Sequence, residues 1–420
     1  MLKELCAYAL CAAILLSSAG CGTKTPLETE AVTDTDISVT QESGTEEIEN
    51  TDGDKGEKAM ENKLNNTYAK LTKDKSLNIA YIGGSVTDGY GASDQNTKSW
   101  VAHTNDWFKE NFPDAKINVA KRSIGGTGSY LSAFRYEREV APTEPDLLFI
   151  EYAVNDKYNR QSYESVLRSS ETIVRKAYAH NPAIDIVYIL TFDSGDGTSD
   201  YDALRAHRDV ANHYGFLNIK LSDYVYAMLA ETGDDYSKYF KDGVHPNDEG
   251  YSFYASVITE MLGKELIENA PTDAEVTEKV LPDMLSESVI ENADMVYADE
   301  IDLSDSVGFE YQKNTNFSWL GTRYNGRIFS KLKGSKLTVK FSGTDFGICY
   351  GIGLNMGIVT CTVDGGEPVV IDAYRANINP KDAVIAWDIE DGDHTAVIEI
   401  TGANEQSGGC EFEIGALLIG

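Results

Sequence analysis

Between residues 77 and about 267, short apolar runs alternate with segments whose apolar residues recur at helical spacing. The runs have the length of buried strands, and the segments between them are long enough to be helices. The strand-like runs are Leu77–Ile82, Lys116–Ala120, Leu147–Tyr152, Asp185–Thr191 and Phe216–Ile219. Because parallel strands must be joined by a crossover that is usually a helix, this alternation predicts an α/β domain with a doubly wound parallel sheet.

The pattern changes beyond about residue 297, where strand-like segments follow one another without helices. Lys336–Phe341 alternates polar and apolar residues, as half-buried strands do. Ile358–Val363 is followed by Asp364–Glu367, which has the composition of a hairpin turn. Short strands separated by Gly and Asp turns predict a C-terminal all-β sandwich domain over residues 297–420. The acidic segment 271–296 is interpreted as a connector.

The first 60 residues differ in character from the rest of the chain. Ala7–Leu16 is apolar but too short to span a bilayer, and small residues precede Cys21. This arrangement resembles the lipobox of bacterial lipoproteins, with Ser18 at the position where leucine is usual. The resemblance implies that residues 1–21 hold a signal peptide and that lipid on Cys21 anchors the protein at the extracellular face of the bacterial cell membrane. An ordinary secretory signal, giving a secreted protein, is the alternative. Residues 22–60 are rich in Thr, Glu and Asp and contain few large apolar residues, which predicts a disordered acidic tether.

The composition limits the partners that the protein can have. The chain has 68 Asp and Glu residues against 36 Lys and Arg residues, a formal net charge of −32. Such a charge argues against nucleic acid and against strongly anionic substrates. No Cys/His cluster has the spacing of zinc ligands, and the Gly-rich segment after the second strand has neither a P-loop lysine nor a G-x-G-x-x-G spacing, so we expect no metal and no cofactor. Beyond Cys21 the cysteines are Cys349, Cys361 and Cys410; a disulfide between two of them stays open, as does the oligomeric state.

Four polar blocks lie where predicted strands end or where the last predicted helix begins. Ser85 comes after the first strand and two glycines, and the Gly-rich segment Ile124–Ser129 follows the second strand. Asn155 lies just after the third strand, and Asp242 precedes His245 by three residues ahead of the last helix. The carboxyl ends of parallel strands share one edge of a sheet, so these groups are expected to converge. Ser, His and Asp brought together in this way are the residues of nucleophilic catalysis.

The order of these blocks resembles the motifs of the GDSL/SGNH hydrolase superfamily. The matching segments are Gly83–Thr87, Ile124–Thr127, Val154–Asp156 and Asp242–Pro246. One departure is Gly84, which stands where the superfamily usually has aspartate. The resemblance covers roughly residues 77–267 and implies a flavodoxin-like α/β domain, which we place at residues 61–270.

The resemblance also implies a role for each polar group. Ser85 would be the nucleophile, His245 the general base and Asp242 the carboxylate that orients the histidine ring. The backbone N–H groups of Ser85 and Gly126 and the side-chain amide of Asn155 would form the oxyanion hole. The chain is therefore predicted to be an SGNH-type serine esterase that needs no metal.

The class of ester is predicted from the export signal and from the second domain beside the hydrolase domain. An exported enzyme with a β-sandwich beside it resembles carbohydrate esterases with an accessory domain, which favours O-acyl esters of a carbohydrate, above all O-acetyl esters. The alternatives are a lysophospholipase or broad carboxylesterase, and a catalytically inactive glycan-binding lipoprotein of the cell surface. Four side chains of the second domain are candidates either for sugar contacts or for the sandwich core: Trp319, Arg323, Tyr324 and Tyr350.

Overall fold

The structure is a computed structural model that describes residues 62–195, 200–313 and 323–420. All of them belong to one compact unit that starts at residue 60. The predicted signal peptide, Cys21 and the acidic tether lie outside the described residues, as does Trp319. No helix within the described ranges has the length and hydropathy that crossing a bilayer requires.

Five parallel strands form the sheet of the first domain. They are β1 Ser76–Gly83, β2 Lys116–Lys121, β3 Leu147–Glu151, β4 Asp185–Leu190 and β5 Leu217–Lys220. Their order in the sheet is β2-β1-β3-β4-β5, which is that of flavodoxin-like folds. Every residue of β3 and β4 is buried, because helices cover both faces of the sheet. The predicted doubly wound parallel sheet is confirmed.

Helices pack on both faces of this sheet. They are α1 Asn65–Ala69, α2 Ser85–Asp88, α3 Trp100–Asn111, α4 Ser129–Arg135, α5 Ala153–Tyr158, α6 Tyr163–His180, α7 Asp202–His213, α8 Leu221–Thr232 and α9 Asp248–Gly263. The apolar sides of α3, α8 and α9 share one core, and those of α4, α6 and α7 share the other. Ser99, Ser162 and Asn247 cap α3, α6 and α9 by accepting a backbone N–H at each helix start.

The second domain is a sandwich of two antiparallel sheets. Its strands are β6 Asp294–Tyr297, β7 Glu310–Lys313, β8 Gly326–Ser330, β9 Lys336–Gly343, β10 Phe346–Ile352, β11 Gly357–Val363, β12 Val369–Asp372, β13 Asn379–Ala386, β14 Gly392–Ala403 and β15 Phe412–Ile419. One sheet has the order β13-β10-β15-β8-β7, with β6 also paired to β15, and the other has the order β12-β11-β14-β9. Ile348 and Ile414 of the first sheet share a core with Val359 and Ile398 of the second. The predicted β-sandwich is confirmed.

The two domains pack closely against each other. Tyr130 and Phe134 of α4 belong to one apolar cluster with Leu418 of β15. Beside this cluster, Arg168 of α6 donates to both carboxylate oxygens of Asp345, at 2.6 and 2.8 Å, and both side chains are buried. A buried bidentate ion pair and a shared apolar cluster therefore join the hydrolase sheet's helices to the sandwich.

The segment between the domains runs along the first domain without forming a helix or strand over residues 270–293. Its backbone N–H groups at Leu285 and Ser286 donate to the buried carboxylate of Glu171, at 2.8 and 2.7 Å. Because its backbone bonds to α6 in this way, the segment is held in an extended path. The strand β6 begins at Asp294, near the end of the segment interpreted as the connector.

Several side chains of the second domain turn out to belong to its interior. Tyr350 is buried in the sandwich core, as the core interpretation predicts, whereas Tyr324 is buried in the apolar cluster that the sandwich shares with α4. Cys349, Cys361 and Cys410 form no disulfide. Within the three described ranges, no group of three His, Cys, Asp or Glu side chains is arranged to hold a metal ion.

Candidate active site

Ser85 begins α2 directly after β1, at the carboxyl edge of the parallel sheet. The preceding Gly84 has no room for a side chain, because a Cβ there would lie 2.0 Å from Oδ1 of Asn155. The side chain of Asn155 therefore lies directly against the backbone that leads into Ser85. This close approach is a physical reason for glycine at the position where the superfamily usually has aspartate.

His245 and Asp242 lie on the loop before α9 and form a hydrogen-bonded row with Ser85. Nε2 of His245 is 2.7 Å from Oγ of Ser85, and Nδ1 is 2.8 Å from Oδ2 of Asp242. An ionised carboxylate can only accept a hydrogen bond, so Nδ1 carries the ring proton and donates to Asp242. Nε2 is then the atom that can accept the hydroxyl proton of Ser85.

Asp242 is held in its charged form by its surroundings. Its Oδ1 accepts the backbone N–H groups of Val244 and His245, both at 2.8 Å. Burial by itself raises the pKa of Asp242, but these two N–H groups and the His245 ring outweigh it, so the net pKa is lowered. The carboxylate is therefore ionised at neutral pH, as its contact with Nδ1 requires.

The loop that carries His245 is tied on both sides. The N–H of Lys241 donates to the carbonyl of His245 at 2.9 Å, and Phe240 forms a β-bridge with Pro246. The ring of Tyr90 meets the imidazole edge-on, with 4.7 Å between ring centroids. The imidazole is thus restrained in the orientation that faces Ser85.

The glycine-rich turn after β2 approaches Ser85 from the other side. A Cβ on Gly125 would lie 3.5 Å from Cβ of Ser85. Gly126 has a φ of +79°, in the left-handed region that glycine adopts without strain. The N–H of Thr127 donates to the carbonyl of Ile124 at 3.3 Å and closes the turn. This conformation brings the backbone of Gly126 into the wall of the cleft above Ser85.

Asp156 links this turn to the helix that carries Asn155. Its Oδ1 accepts the N–H of Ser129 at 2.8 Å, and its Oδ2 lies 2.8 Å from Nε2 of His207. Both Asp156 and His207 are fully buried. From the sequence, His207 is interpreted as a surface or packing residue. Its partner Asp156 lies 51 positions earlier in the chain, and nothing in the helix of His207 indicates this contact. The structure places it behind the site, where it supports Asp156.

Glu151 is a second buried carboxyl that sequence reasoning did not identify. It ends β3 and accepts the hydroxyls of Thr87 in α2 and Thr191 after β4, at 2.9 and 3.2 Å. Burial raises its pKa to about 7, although the hydrogen bonds lower it. A carboxyl at the end of an otherwise apolar strand is the sequence signal that would have found it.

An open cleft of about 380 Å³ lies above these groups. Its lining includes all five residues that the sequence predicts for catalysis: Ser85, Gly126, Asn155, Asp242 and His245. The cleft is also lined by Tyr158 and Asn159 of the first domain and by Lys381 of the second. No motif in the sequence indicates that β13 of the sandwich contributes a side chain to this cleft.

Comparison with known proteins identifies the family that the first domain matches. Residues 81–253 match the model of the GDSL-like lipase/acylhydrolase family. No curated protein sequence matches the chain. Two crystal structures of a two-domain esterase active on acetylated mannans, one of them co-crystallized with mannopentaose, share the fold. Each is 23% identical with a TM-score of 0.73, covering 85% of this chain and 94% or 95% of the other.

An acetylxylan esterase from Geobacillus stearothermophilus is also similar, at 18% identity and a TM-score of 0.37, over 47% of this chain and 97% of that one. At that score the likeness carries no weight for the present chain. The family match and the two-domain fold are the informative findings. The chain therefore carries a GDSL-like lipase/acylhydrolase domain at residues 81–253, and this domain together with the two-domain esterase fold indicates a serine esterase.

Proposed function

We propose that the protein hydrolyses O-acetyl esters of a carbohydrate, with Ser85, His245 and Asp242 as its catalytic triad. The observation that carries this proposal is the continuous row from Oγ of Ser85, through both ring nitrogens of His245, to the carboxylate of Asp242. A serine hydroxyl is a weak nucleophile at neutral pH, and an adjacent base oriented by a third group is what activates it.

The reaction then proceeds through an acetyl-enzyme. Oγ of Ser85 attacks the ester carbonyl carbon while Nε2 of His245 takes the hydroxyl proton. As the tetrahedral intermediate collapses, the protonated ring returns this proton to the departing sugar oxygen, and acetyl-Ser85 remains. Water, deprotonated by the same nitrogen, attacks this second ester, and acetate leaves as Ser85 regains its proton. Asp242 stabilises the positive ring in both halves.

Three donors are assigned to the negative oxygen of the tetrahedral intermediates. They are the backbone N–H groups of Ser85 and Gly126 and the side-chain amide of Asn155. The contact of Asn155 with Gly84, and that of Gly125 with Ser85, support the assignment because they bring all three groups to one wall of the cleft. Donors that are already in place cost no reorganisation when charge develops, which is the usual source of their catalytic effect.

The nature of the cleft supports a sugar as the alcohol part of the ester. Tyr158 is 60% exposed in the cleft lining, and Tyr90, against His245, is 56% exposed. Exposed aromatic rings offer flat apolar faces with a polar tip, which suit the faces and hydroxyls of a sugar ring. The two-domain esterase of the same fold is described as active on acetylated mannans, and this also favours a glycan substrate.

The proposal is tested with p-nitrophenyl esters from acetate to palmitate and with acetylated mannan and xylan oligosaccharides. Wild type should prefer acetate, release acetate from an oligosaccharide, and lose nearly all activity in Ser85→Ala. Ser123→Ala is the matched control, since the Ser123 hydroxyl bonds to Asp88 outside the triad. A preference for long chains would indicate a lysophospholipase or broad carboxylesterase instead. Failure both to cleave any ester and to react with a fluorophosphonate would indicate a glycan-binding protein without activity.

We also propose that Cys21 carries the lipid that anchors the protein to the cell membrane. The support is the lipobox-like sequence before it and the acidic segment that follows. Full-length protein should incorporate labelled palmitate and fractionate with membranes, and Cys21→Ala should do neither. Equal labelling of both forms would overturn this assignment.

A further inference from the structure

Lys381 reaches from the second domain into the cleft of the first. It lies on β13 of the sandwich, yet its Nζ is 2.6 Å from Oδ1 of Asn159 and 3.4 Å from the carbonyl oxygen of Gly126. The first contact is a short hydrogen bond from a charged donor, and the second brings the same ammonium group to the turn. From the other domain, Lys381 therefore touches Gly126 of the proposed oxyanion hole and Asn159, which caps the helix that carries Asn155.

Asn159 connects this contact to Asn155. Its backbone N–H donates to the carbonyl of Asn155 at 2.8 Å, at the end of α5. Its Nδ2 also approaches the carbonyl of Gly126, at 3.5 Å. Lys381 and Asn159 thus both contact the carbonyl of Gly126, one from each domain. Because Asn159 is also bonded to Asn155, it links this contact to the helix that carries Asn155.

The turn depends on such restraint because it packs tightly against α5. A Cβ on Gly128 would lie 2.0 Å from Oδ1 of Asp156 and 3.4 Å from Nδ2 of Asn159. With glycines at positions 125, 126 and 128, the turn itself has little conformational preference. Its position relative to α5 must therefore come from contacts with side chains around it.

Partial burial strengthens the interaction of the Lys381 ammonium group with the carbonyl groups that it contacts. Burial lowers the pKa of Lys381, neighbouring Asp382 offsets part of this, and Arg375 adds to the lowering. An ammonium group that has lost much of its water interacts more strongly with the dipoles it touches. Here those dipoles are the side-chain carbonyl of Asn159 and the backbone carbonyl of Gly126.

We propose that Lys381 is a positioning residue of the esterase, which holds the Gly126 turn and α5 at the spacing needed for the oxyanion hole. The inference rests on the proposed function of the Ser85 site and deepens it, because it makes the second domain a part of the catalytic apparatus. Lys381 acts through Gly126 and Asn159 rather than on the reacting atoms.

The test compares kcat and KM for an acetyl ester in Lys381→Met, Lys381→Arg, Asn159→Ala and the double variant Lys381→Met/Asn159→Ala. A displacement of about 1 Å in a catalytic group can cost about 10²-fold in rate, so Lys381→Met should lower kcat by about 10- to 100-fold with KM nearly unchanged. Lys381→Arg should retain more of kcat than Lys381→Met. The double variant should be little worse than Asn159→Ala, because both changes remove one restraint.

Arg138→Met is the matched control for a lost contact between domains. Arg138 pairs with Asp294 and Glu300 of the second domain but does not line the cleft. It should keep the kcat of wild type. The proposal is overturned if Lys381→Met keeps the wild-type kcat, if it changes only KM, or if Arg138→Met lowers kcat to the same extent.

A second measurement tests the role of Lys381 independently of which ester is the natural substrate. A fluorophosphonate places its phosphonyl oxygen in the oxyanion hole when it reacts with the serine, so its rate of labelling Ser85 reports the same geometry. If wild type labels but cleaves no acetyl ester, the substrate is wrong, and slower labelling of Lys381→Met still supports the positioning role. Equal labelling rates overturn that role whatever the substrate is, and a wild type that neither labels nor cleaves esters overturns both proposals.

Discussion

At the scale of single residues, the site depends on side chains whose partners come from different strands. Asn155 is the clearest case, because its amide lies against the backbone of Gly84 at the end of another strand. Its helix α5 has six residues, too few to be stable without tertiary contacts. The role proposed for Asn155 therefore depends on its position rather than on any property of its own segment.

We expect Asn155→Ala to lower kcat for an acetyl ester by about 10²–10³, the usual cost of one lost oxyanion donor. KM should change little, since the donor acts on charge that develops only in the transition state. Steady-state kinetics beside a thermal unfolding scan would measure both effects. A rise in KM with kcat unchanged would mean that Asn155 binds the ground state instead.

Glu151 predicts a dependence of stability on pH. Its pKa is raised to about 7 in the folded protein from the ordinary value of 4.5, because the carboxyl is fully buried. A carboxyl of this kind stabilises the fold below its unfolded pKa, and the contribution is lost as pH rises through about 7. Glu151→Gln mimics the protonated form at every pH. The difference between its free energy of unfolding and that of wild type should therefore increase, in favour of the variant, by about 1–3 kcal/mol from pH 5 to pH 8.

Urea unfolding at the two pH values measures this gain. Glu110→Gln, at an exposed position of α3, is the control and should follow wild type at both. A Glu151→Gln curve that stays parallel to wild type from pH 5 to pH 8 would show that Glu151 is ionised throughout.

At the scale of elements, short turns carry the site and long elements support them. The helix α2, which begins with Ser85, has four residues, and the turn around Gly126 has no regular structure. Both are fixed by contacts with buried carboxyls: Glu151 bonds to Thr87 in α2, and Asp156 bonds to the N–H of Ser129 after the turn. The site is thus held from beneath by acidic side chains at the end of β3 and in α5.

Two glycines allow the backbone of the turn to be tested separately from general stability. Gly126 and Gly215 have φ values of +79° and +71°, and a Cβ on either would meet no atom within 4 Å. Alanine at each position should therefore cost a similar amount, about 1–2 kcal/mol, from backbone strain alone. Only Gly126→Ala should also lower kcat, because only Gly126 lines the cleft. Equal kcat in both variants would exclude the Gly126 turn from the oxyanion hole.

At the scale of the whole molecule, the two domains behave as one folded body. The apolar cluster between α4 and β15, the connector bonded to Glu171 and the ion pair of Arg168 with Asp345 all cross the boundary. The Lys381 contact crosses it as well, at the cleft. Separation of the domains would expose buried charge and apolar surface together.

Arg168→Met should destabilise the protein by about 3–5 kcal/mol, because it leaves the Asp345 carboxylate buried without its partner. Unfolding should remain a single transition for both domains, at a lower temperature. Arg138→Met removes a more exposed pair across the same boundary and should cost about 1 kcal/mol or less. Calorimetry of the three proteins measures this, and two separate transitions in wild type would contradict a single folding unit.

The sequence alone determined the two kinds of domain and five residues of the candidate site. Periodicity predicts the strands and longer helices well because burial on one or both faces leaves a regular pattern, and β3 and β4 show this most clearly. The site residues Ser85, Asn155 and His245 could be named because each lies beside such an element. In contrast, α4 and α8 did not stand out, since α4 has seven residues and α8 follows β5 without a loop.

Only the tertiary structure decided which distant residues complete the site. Glu151, His207 and Lys381 reach it through contacts across 51 to 222 positions of sequence, and such contacts leave no local pattern. The same is true of Tyr350, whose burial depends on how the two sheets pack, and of Tyr324, whose burial depends on how the sandwich packs against α4. The sequence reveals residues that lie close together along the chain. The contact between the ammonium group of Lys381 on β13 and the turn after β2 is set by the packing of the two domains, so only the tertiary structure shows it.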